Sequence, residues 1–399
     1  MDKHMTPVPS SMLKRSRGMR DLLPADMRAF RRVEDAFRAA ALRWGYEEIR
    51  TPTLENYSLF TSAGALTPEM LARVYSFLDW DGWSGERVVL RPDSTIPVTR
   101  AAAEAGLPLP ARLFYVQNRF RFAEENEERE DWQFGIEYLG APESTGDLEV
   151  ATVACETLEA LGIRATVRLG HVGISRSVCA AAGISPADVP GASLAALKPL
   201  VASDPALAAF VDVACRAGEG TALLANLEGI AAVSVPAALL ALRELTGIAS
   251  ALQESNRPIM IDLAMPRDFE YYSGAVFEFE SGETSWGGGG RYSSPGAGMG
   301  ATACGLGLEA GLLAAHAAPM TRARQVVSVI ARTPADFGRA IALARALHRS
   351  GIAAALGDGA SSAALAVYVG ADGLVAHTPD GERSMQALDD VVGLLIQYK

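Results

Sequence analysis

The sequence of 399 residues predicts an α+β protein with an antiparallel sheet core flanked by helices. Three stretches carry this prediction. Residues 259–310 begin with alternating apolar and polar side chains and continue into an aromatic and β-branched run, which is typical of paired strands. Residues 111–140 read as two apolar strands joined by a polar hairpin. Residues 173–257 are rich in alanine and leucine at helical spacing, with prolines between successive segments, and predict a helical insertion.

The composition is that of a globular protein with room for two or three domains, since 49% of the residues are hydrophobic and 21% are charged. The formal net charge of −11 argues against nucleic acid as the main partner, because phosphate contacts need a basic face. We expect a cytoplasmic protein, because the sequence shows neither a membrane-length apolar run nor a signal peptide. The cysteines and histidines lack metal-ligand spacing, so we expect buried thiols and neither a metal nor a cofactor.

Residues 1–55 read as an arm, a helix and a strand. Residues 1–17 are polar and suit a flexible arm. A helix opens after Gly18, carries apolar side chains at helical spacing, stops near Gly45 and leads into a strand over residues 46–55. The helix is therefore expected to pack on a sheet.

Residues 88–105 read as a strand, a loop and a second helix. Asp93 and Thr95 stand where this strand ends, and short polar side chains there can face the amino group of a ligand. The same place suits an N-cap of the following helix, from Ser94 or Thr95. On the residues alone, both interpretations stay open.

The stretch from residue 259 to 310 is expected to form the centre of the molecule. Arg267, Tyr271 and Tyr272 lie where its first two strands join, which suits the floor of a polar pocket. Taken alone, the pattern fits a surface hairpin with a paired arginine equally well. The glycines of residues 287–290 predict a tight reversal, and a helix is expected from Leu306.

From about Thr321 the chain changes character. A strand over residues 324–331, a helix over 335–351, three short strands within 352–379 and a closing helix predict a small α/β unit. The unit shows no basic, aromatic face on which nucleotide bases could stack.

The segment MPRDFEYYSGAVFE resembles the arginine–tyrosine–tyrosine histidine-binding motif of histidyl-tRNA synthetases and of their non-catalytic paralogue, the regulatory subunit of ATP phosphoribosyltransferase. The resemblance extends over nearly the whole chain. Residues 18–55 resemble motif 1 of class II synthetases, which builds the dimer interface. Residues 111–140 resemble motif 2, whose hairpin cradles ATP in active synthetases, and GLGLEAGL resembles motif 3.

This resemblance implies a domain organisation. Residues 18–172 and 258–319 would form a class II aminoacyl-tRNA synthetase-like core, and residues 173–257 would be the helical insertion between its two parts. Residues 321–399 would be a shortened anticodon-binding-like α/β domain, with the stretch GDGASSAA in place of a longer connection.

The resemblance also implies a pocket for L-histidine. In the family, the acidic residue and threonine of LRPDST hold the amino acid, an arginine of motif 2 binds phosphate, and a glutamine and a glutamate hold the imidazole. The ligand-binding residues implied in this chain are Asp93, Thr95, Arg121, Gln133, Glu137, Arg267, Tyr271 and Tyr272.

The positions that bind ATP depart from the pattern of active synthetases. Six of the eight residues from 124 to 131 are carboxylates, although a loop that closes over a triphosphate should present arginines and backbone amides. Ala123 replaces a glutamate, Ser293 replaces an aspartate, and Ala310 replaces the arginine that clamps the γ-phosphate. The histidine pocket is thus expected to persist without the phosphate chemistry.

The resemblance therefore implies a regulatory subunit with no catalytic residues of its own. It would form a hetero-oligomer with the short-form ATP phosphoribosyltransferase catalytic subunit and a homodimer through its motif 1-like region. Histidine would act through it as feedback inhibitor of the first step of histidine biosynthesis, and neither tRNA nor a membrane is expected as partner. The alternatives are an active histidyl-tRNA synthetase, which the departures above oppose, and a free-standing amino-acid sensor.

Overall fold

The computed structural model describes residues 14–398 apart from residues 62–65, 67, 81–84, 124–127, 143, 190–192, 266–271, 294–301, 317–325 and 358–364. The chain divides into two compact units, Met1–Pro319 and Met320–Lys399. No helix of the described part is long and apolar enough to cross a membrane.

A broad, mainly antiparallel sheet forms the centre of the larger unit. The strands of this unit are β1 (Glu47–Glu48), β2 (Leu54–Asn56), β3 (Ser76–Trp80), β4 (Gly85–Leu90), β5 (Ala111–Phe120), β6 (Glu130–Leu139), β7 (Thr166–His171), β8 (Gly218–Glu219), β9 (Ile259–Ile261), β10 (Tyr272–Ser281), β11 (Thr284–Ser293) and β12 (Thr302–Glu309). Among the described residues, nine of them pair in the order β1-β5-β6-β12-β11-β10-β7-β9-β8, and β2-β4-β3 form a small separate sheet. The pairings from β5 across to β7 are antiparallel, so the predicted antiparallel core is confirmed.

Helices flank this sheet. They are α1 (Pro24–Arg43), α2 (Tyr57–Thr61), α3 (Pro68–Ala72), α4 (Thr95–Glu104), α5 (Thr145–Ala160), α6 (Val172–Ala182), α7 (Leu194–Leu197), α8 (Pro205–Ala214), α9 (Ala222–Ser234), α10 (Leu239–Glu254) and α11 (Ala310–His316). On α1, Phe37 lies with its ring 5.9 Å from that of Phe114 on β5 and 5.4 Å from that of Phe134 on β6. Phe210 of α8 and Leu245 of α10 are buried in the same hydrophobic core, so helices of the predicted insertion share the core of the sheet.

The glycines of residues 287–290 do not form the predicted reversal but lie in the middle of β11. The chain reverses at Gly282, which adopts a φ of 60° between β10 and β11. A β-carbon at Gly287 would lie 2.1 Å from the carbonyl oxygen of Gly307, and one at Gly289 would lie 2.0 Å from that of Gly305. Gly287 and Gly289 are therefore required by the close approach of β11 to β12, and not by a turn, while β-carbons at Gly288 and Gly290 would meet the backbone of β10.

Two further boundaries differ from the sequence prediction. Leu306, expected to start a helix, lies within β12, and α11 begins only at Ala310. This segment is held as a strand because its backbone pairs with β11, the preceding strand, and with β6, which is distant in sequence. The strand expected over residues 46–55 is divided into β1 and β2, with Pro52 between them.

Arg291 on β11 ties two helices to the sheet. Its guanidinium is ion-paired with Asp147 of α5 and lies 2.6 Å from the carboxylate of Glu244 on α10. The Nε2 atom of His171, at the end of β7, lies 3.1 Å from the same carboxylate. The hydrogen bond with His171, together with Arg291, lowers the pKa of Glu244 to about 2. His171 is therefore a packed residue at a strand end.

In the described part of the smaller unit, five strands form one sheet and two α-helices accompany it. Its elements are β13 (Val327–Ala331), α12 (Phe337–Arg349), β14 (Ala354–Leu356), β15 (Ala366–Gly370), β16 (Gly373–Thr378), β17 (Gly381–Met385) and α13 (Leu388–Ile396), with strand order β14-β13-β15-β16-β17. The sequence did not predict β17. This strand is exposed over most of its length and so lacks the apolar alternation that predicts a strand.

We expect Gly289→Ala to destabilise the larger unit by about 2 to 4 kcal/mol, because the new β-carbon would collide with the backbone of β12. The matched control is Gly247→Ala in α10, where a β-carbon meets no atom within 4 Å. The control should stabilise by about 0.5 to 1 kcal/mol through helix propensity. Urea unfolding followed by tryptophan fluorescence measures both, because all five tryptophans lie in the larger unit. Equal effects of the two substitutions would contradict the close-approach argument.

Candidate functional site

A cavity of about 320 Å³ opens over the middle strands of the large sheet. We call it the sheet cavity. Its lining residues are Arg119, Arg121, Gln133, Met265, Tyr272, Val276, Phe277, Glu278, Ser285, Gly287, Gly288, Gly289, Gly307 and Glu309. They come from β5, β6, β10, β11 and β12 or lie directly beside these strands. The cavity therefore depends on strand pairing more than on loops.

Two glycines of β12 make room for long polar side chains of β6. A β-carbon at Gly305 would lie 2.1 Å from Oε2 of Glu137, and one at Gly307 would lie 2.0 Å from Nε2 of Gln133. Gly305 is the register partner of Glu137, so that side chain extends over the neighbouring strand. Because residues 305 and 307 of β12 are glycines, there is space beside this strand for the carboxyl group of Glu137 and the amide of Gln133.

Glu137 is fully buried among hydroxyl groups. The Thr95 hydroxyl donates to Oε1 at 2.8 Å, and the Tyr292 hydroxyl donates to Oε2 at 2.6 Å. The Tyr115 hydroxyl lies 3.5 Å from Oε1 of Glu137 and 3.2 Å from Oε1 of Gln133. The carboxyl group is therefore hydrogen-bonded on both oxygens and linked through Tyr115 to the cavity lining.

Burial dominates the ionisation of this carboxyl group. It raises the pKa of Glu137 to about 8, although the hydrogen bonds from Tyr292 and Thr95 favour the charged form. Burial also raises the pKa of Asp93, against the attraction of Arg121. A carboxyl group that titrates near neutral pH can either donate or accept a proton in a hydrogen bond. It suits a ligand group that titrates in the same range, such as an imidazole.

Two arginines at the end of β5 line the cavity in different surroundings. The Nε atom of Arg121 donates to the carbonyl oxygen of Pro92 at 2.7 Å. Burial, together with the charge of Arg119, lowers the pKa of Arg121 to about 10. Arg119 itself is ion-paired on two sides, with Asp131 at 2.6 Å and Glu309 at 2.7 Å. Burial alone would lower the pKa of Arg119, but these two carboxylates outweigh it and raise the pKa above its usual value.

The structure describes six of the eight predicted ligand residues. Three of them line the sheet cavity, and two are joined to its lining through Tyr115. The three that line the cavity are Arg121, Gln133 and Tyr272, and the two that are joined to its lining are Thr95 and Glu137. Arg267 and Tyr271 lie outside the described residues. The ligand role of all eight stays a prediction.

Asp93 and Thr95 make different contacts, which bear on the two interpretations that the sequence left open, a helix cap and a ligand contact. The carboxylate of Asp93 accepts a hydrogen bond from the Ile96 amide at 3.3 Å, in the first turn of α4, which is a capping contact. Thr95 instead directs its hydroxyl to Glu137. Ser94 makes no side-chain cap. Asp93 therefore has a structural role beside any contact with a ligand.

Sequence reasoning missed four residues of this site: Tyr115, Arg119, Tyr292 and Glu309. Strand alternation puts Tyr115 and Arg119 on the same face of β5, so a signal for these two was present. Tyr292 lies two positions after the glycine-rich run but donates its hydroxyl to Glu137, 155 positions earlier. The pairing of Arg119 with Glu309 joins residues 190 positions apart, and no local pattern predicts it.

The charges of the described lining suit a small zwitterion. Arg119 and Arg121 are matched in number by the carboxylates Glu278 and Glu309. A polyanion would meet both carboxylates, whereas an amino acid brings one charge of each sign. The described residues hold no cluster of histidine, cysteine, aspartate and glutamate that could bind a metal ion.

Comparison with known proteins shows two kinds of relative. The family model described as histidyl-tRNA synthetase matches residues 18–313. The ATP phosphoribosyltransferase regulatory subunit of Dehalococcoides mccartyi is 41% identical over 293 residues, which cover 70% of this chain and 71% of the relative. The histidine–tRNA ligase of Methanospirillum hungatei is 32% identical over 279 residues, 67% of this chain and 65% of the relative. A solved ATP phosphoribosyltransferase regulatory subunit/histidyl-tRNA synthetase from Bacillus halodurans superposes with a TM-score of 0.71 and 26% identity, over 89% of this chain and 94% of that one.

We expect the Arg119–Glu309 pair to be energetically coupled, because Arg119→Met would leave Asp131 and Glu309 close together without their cation. Arg119→Met should destabilise the larger unit by about 1 to 3 kcal/mol, and adding Glu309→Gln should recover about 1 kcal/mol. Urea unfolding of the two single variants and the double variant measures the coupling. The exposed pair Arg43–Glu156 serves as control, with an expected coupling below about 0.5 kcal/mol. Strictly additive effects at Arg119 and Glu309 would contradict this account.

Proposed function

The chain belongs to the ATP phosphoribosyltransferase regulatory subunits, within the histidyl-tRNA synthetase family, and from this we propose that it is a non-catalytic regulator of histidine biosynthesis. In this proposal it assembles with the short-form ATP phosphoribosyltransferase catalytic subunit and binds L-histidine in the sheet cavity. Histidine then acts as feedback inhibitor of the first step of the pathway. The buried carboxyl group of Glu137 beside a cavity of balanced charge is the observation that carries the proposal.

The polar groups around the cavity fit histidine at both of its ends. Glu137 and Gln133 would hold the imidazole, because a carboxyl group with a pKa of about 8 can share a proton with it. Arg121 lies where it can attract the ligand's carboxylate. Arg267 and Tyr271 would complete the pocket from the segment over residues 266–271.

Three features oppose an ATP-dependent reaction in the same cavity. Arg119 is already engaged by two carboxylates of the protein. Glu278 and Glu309 line the cavity, and each carboxylate about 4 Å from a phosphate would cost roughly 1 to 4 kcal/mol, depending on the effective dielectric. Position 310 carries alanine, where the family's active members carry an arginine. We therefore propose a site that keeps the amino acid and lacks the nucleotide.

Inhibition by histidine requires a difference in affinity. A ligand shifts an equilibrium between two arrangements of a complex only if it binds one of them better. We propose that the less active arrangement of the assembly with the catalytic subunit binds histidine more tightly. A homodimer through the motif 1-like region is part of the same proposal, on the strength of the resemblance.

The purified chain should show no histidine-dependent exchange of pyrophosphate into ATP, because the cavity does not favour a bound triphosphate. An active histidyl-tRNA synthetase is the positive control for this assay. Addition of the chain to the short-form catalytic subunit should raise its turnover, and added histidine should lower it again. Clear exchange by the chain alone would favour the alternative, an active synthetase, and overturn the regulatory proposal.

Histidine affinity should be greatest between about pH 6.5 and pH 8, because the bound carboxyl–imidazole pair shares one proton. Below the imidazole pKa of about 6.5 both free groups are protonated, so binding must release a proton. Above the Glu137 pKa of about 8 neither group is protonated, so binding must take one up. One proton corresponds to about tenfold in affinity per pH unit on each side. Calorimetry across pH measures this profile.

Glu137→Gln is the matched variant for this profile, because glutamine keeps the size of the side chain and does not titrate. Above about pH 8, the affinity of this variant for histidine should fall less steeply with pH than that of the wild type, by about tenfold per pH unit. The remaining fall comes from the amino group of the ligand. An unchanged profile in Glu137→Gln would show that this carboxyl group does not meet the imidazole.

A further inference from the structure

A second cavity, of about 310 Å³, opens between α1, the residues 128–132 at the start of β6, and α11. We call it the α1–α11 groove. Its floor is apolar, with Phe30 and Trp132 packed edge to face at 5.5 Å between ring centroids. Leu22 and Ala29 of the α1 side and Ala314 of α11 add to this floor. An apolar groove of this size at a surface is typical of a docking site.

Carboxylates surround the floor of the groove. Asp26, Glu128, Glu130 and Asp131 line it, against the single guanidinium of Arg20. Arg20 lies 3.0 Å from Asp26 and 3.7 Å from Glu128, so one cation is shared by two anions. Glu130 accepts a hydrogen bond from the neutral amide of Asn118 at 2.9 Å. Asp131 is paired with Arg119, so the four carboxylates of the described rim face two guanidinium groups and the rim carries excess negative charge.

We infer that this groove docks the catalytic partner through a segment of that partner that carries lysine or arginine on apolar stems. The inference rests on the proposed function and names the surface it uses. Lysine and arginine bury their aliphatic stems on apolar surface and keep the charged end in contact with carboxylates. The groove offers an apolar floor and a rim of carboxylates together. Binding of a basic segment would also give Glu128, Glu130 and Asp131 a role, whereas carboxylates disfavour the binding of ATP.

The groove and the sheet cavity share one ion-pair cluster. Asp131 lines the groove and is paired with Arg119, which lines the cavity. Glu309 is paired with the same arginine and directly precedes α11, whose Ala314 lines the groove. A partner in the groove and a ligand in the cavity would therefore contact the same cluster from different sides.

The test uses the full-length chain and the short-form ATP phosphoribosyltransferase catalytic subunit. The groove variant carries Glu128→Lys and Ala315→Trp, which reverse a rim charge and fill the groove. The control carries Glu254→Lys and Ala225→Trp, the same changes at exposed positions of α10 and α9. Each is titrated against the catalytic subunit at low and at high salt. Histidine binding by the free chain and its melting temperature show that each variant is folded.

The groove variant should bind the catalytic subunit about tenfold or more weakly, while the control binds as the wild type does. Wild-type affinity should fall as salt rises, because charges drive part of the docking. Unchanged affinity in the groove variant would place the partner elsewhere and overturn this inference while the proposed function stands. Weaker self-association of the groove variant, with or without weaker partner binding, would make the occupant a second copy, because much of the groove belongs to the motif 1-like region, and would also overturn it. Failure of the wild type to bind the catalytic subunit would overturn the proposed function and this inference together.

Discussion

The centre of this protein depends on one constraint, which is that the carboxyl group of Glu137 lies where water cannot reach it. An isolated buried carboxylate is costly, and two outcomes reduce that cost. Hydroxyl groups of Thr95 and Tyr292 donate to its two oxygens, and its pKa rises to about 8, so that the group is largely neutral at pH 7. The glycine at position 305 on β12 is part of the same arrangement, because any β-carbon there would occupy the place of the carboxyl group. The sheet therefore encloses a buried polar group in addition to the hydrophobic core that it shares with the helices.

The ion pairs of Arg119 with Asp131 and Glu309 disfavour a polyanion in the cavity more than a zwitterion. An arginine that meets only solvent would attract phosphate, whereas Arg119 already holds Asp131 and Glu309. An incoming polyanion would have to separate these pairs and then face the released carboxylates. A zwitterion needs neither step, since Arg121 and the neutral carboxyl group of Glu137 lie at other positions of the site. The proposed preference for an amino acid over a nucleotide thus rests on the pairing of Arg119 with carboxylates of the protein itself.

The sequence predicted the elements of the core well, because amphipathic periodicity and polar hairpins are local signals. It failed at residues 287–290, where four glycines suggest a turn and instead permit two strands to approach closely. Only the register of β11 on β12 distinguishes these two uses of glycine, and register is a long-range property. The candidate site divides in the same way. The resemblance supplied Gln133 and Glu137, while the contacts of Tyr292 and Glu309 join residues more than 150 positions apart and could not be predicted.

Regulation by a ligand requires a group whose contacts can differ between two arrangements of the protein. The hydroxyl groups around Glu137 are poorly suited to this, since they are fully enclosed and move only if the sheet moves. Asp131 and Glu309 differ, because their side chains remain 30% and 28% exposed and lie near the ends of strands, at the start of β6 and at the last residue of β12. Either carboxylate can exchange its pairing with Arg119 for a cation of a partner, because the other carboxylate still neutralises that arginine. If the proposed function holds, affinity for histidine resides mainly at Glu137. Coupling to the partner then resides at Arg119, where a small free-energy difference is enough to distinguish two states.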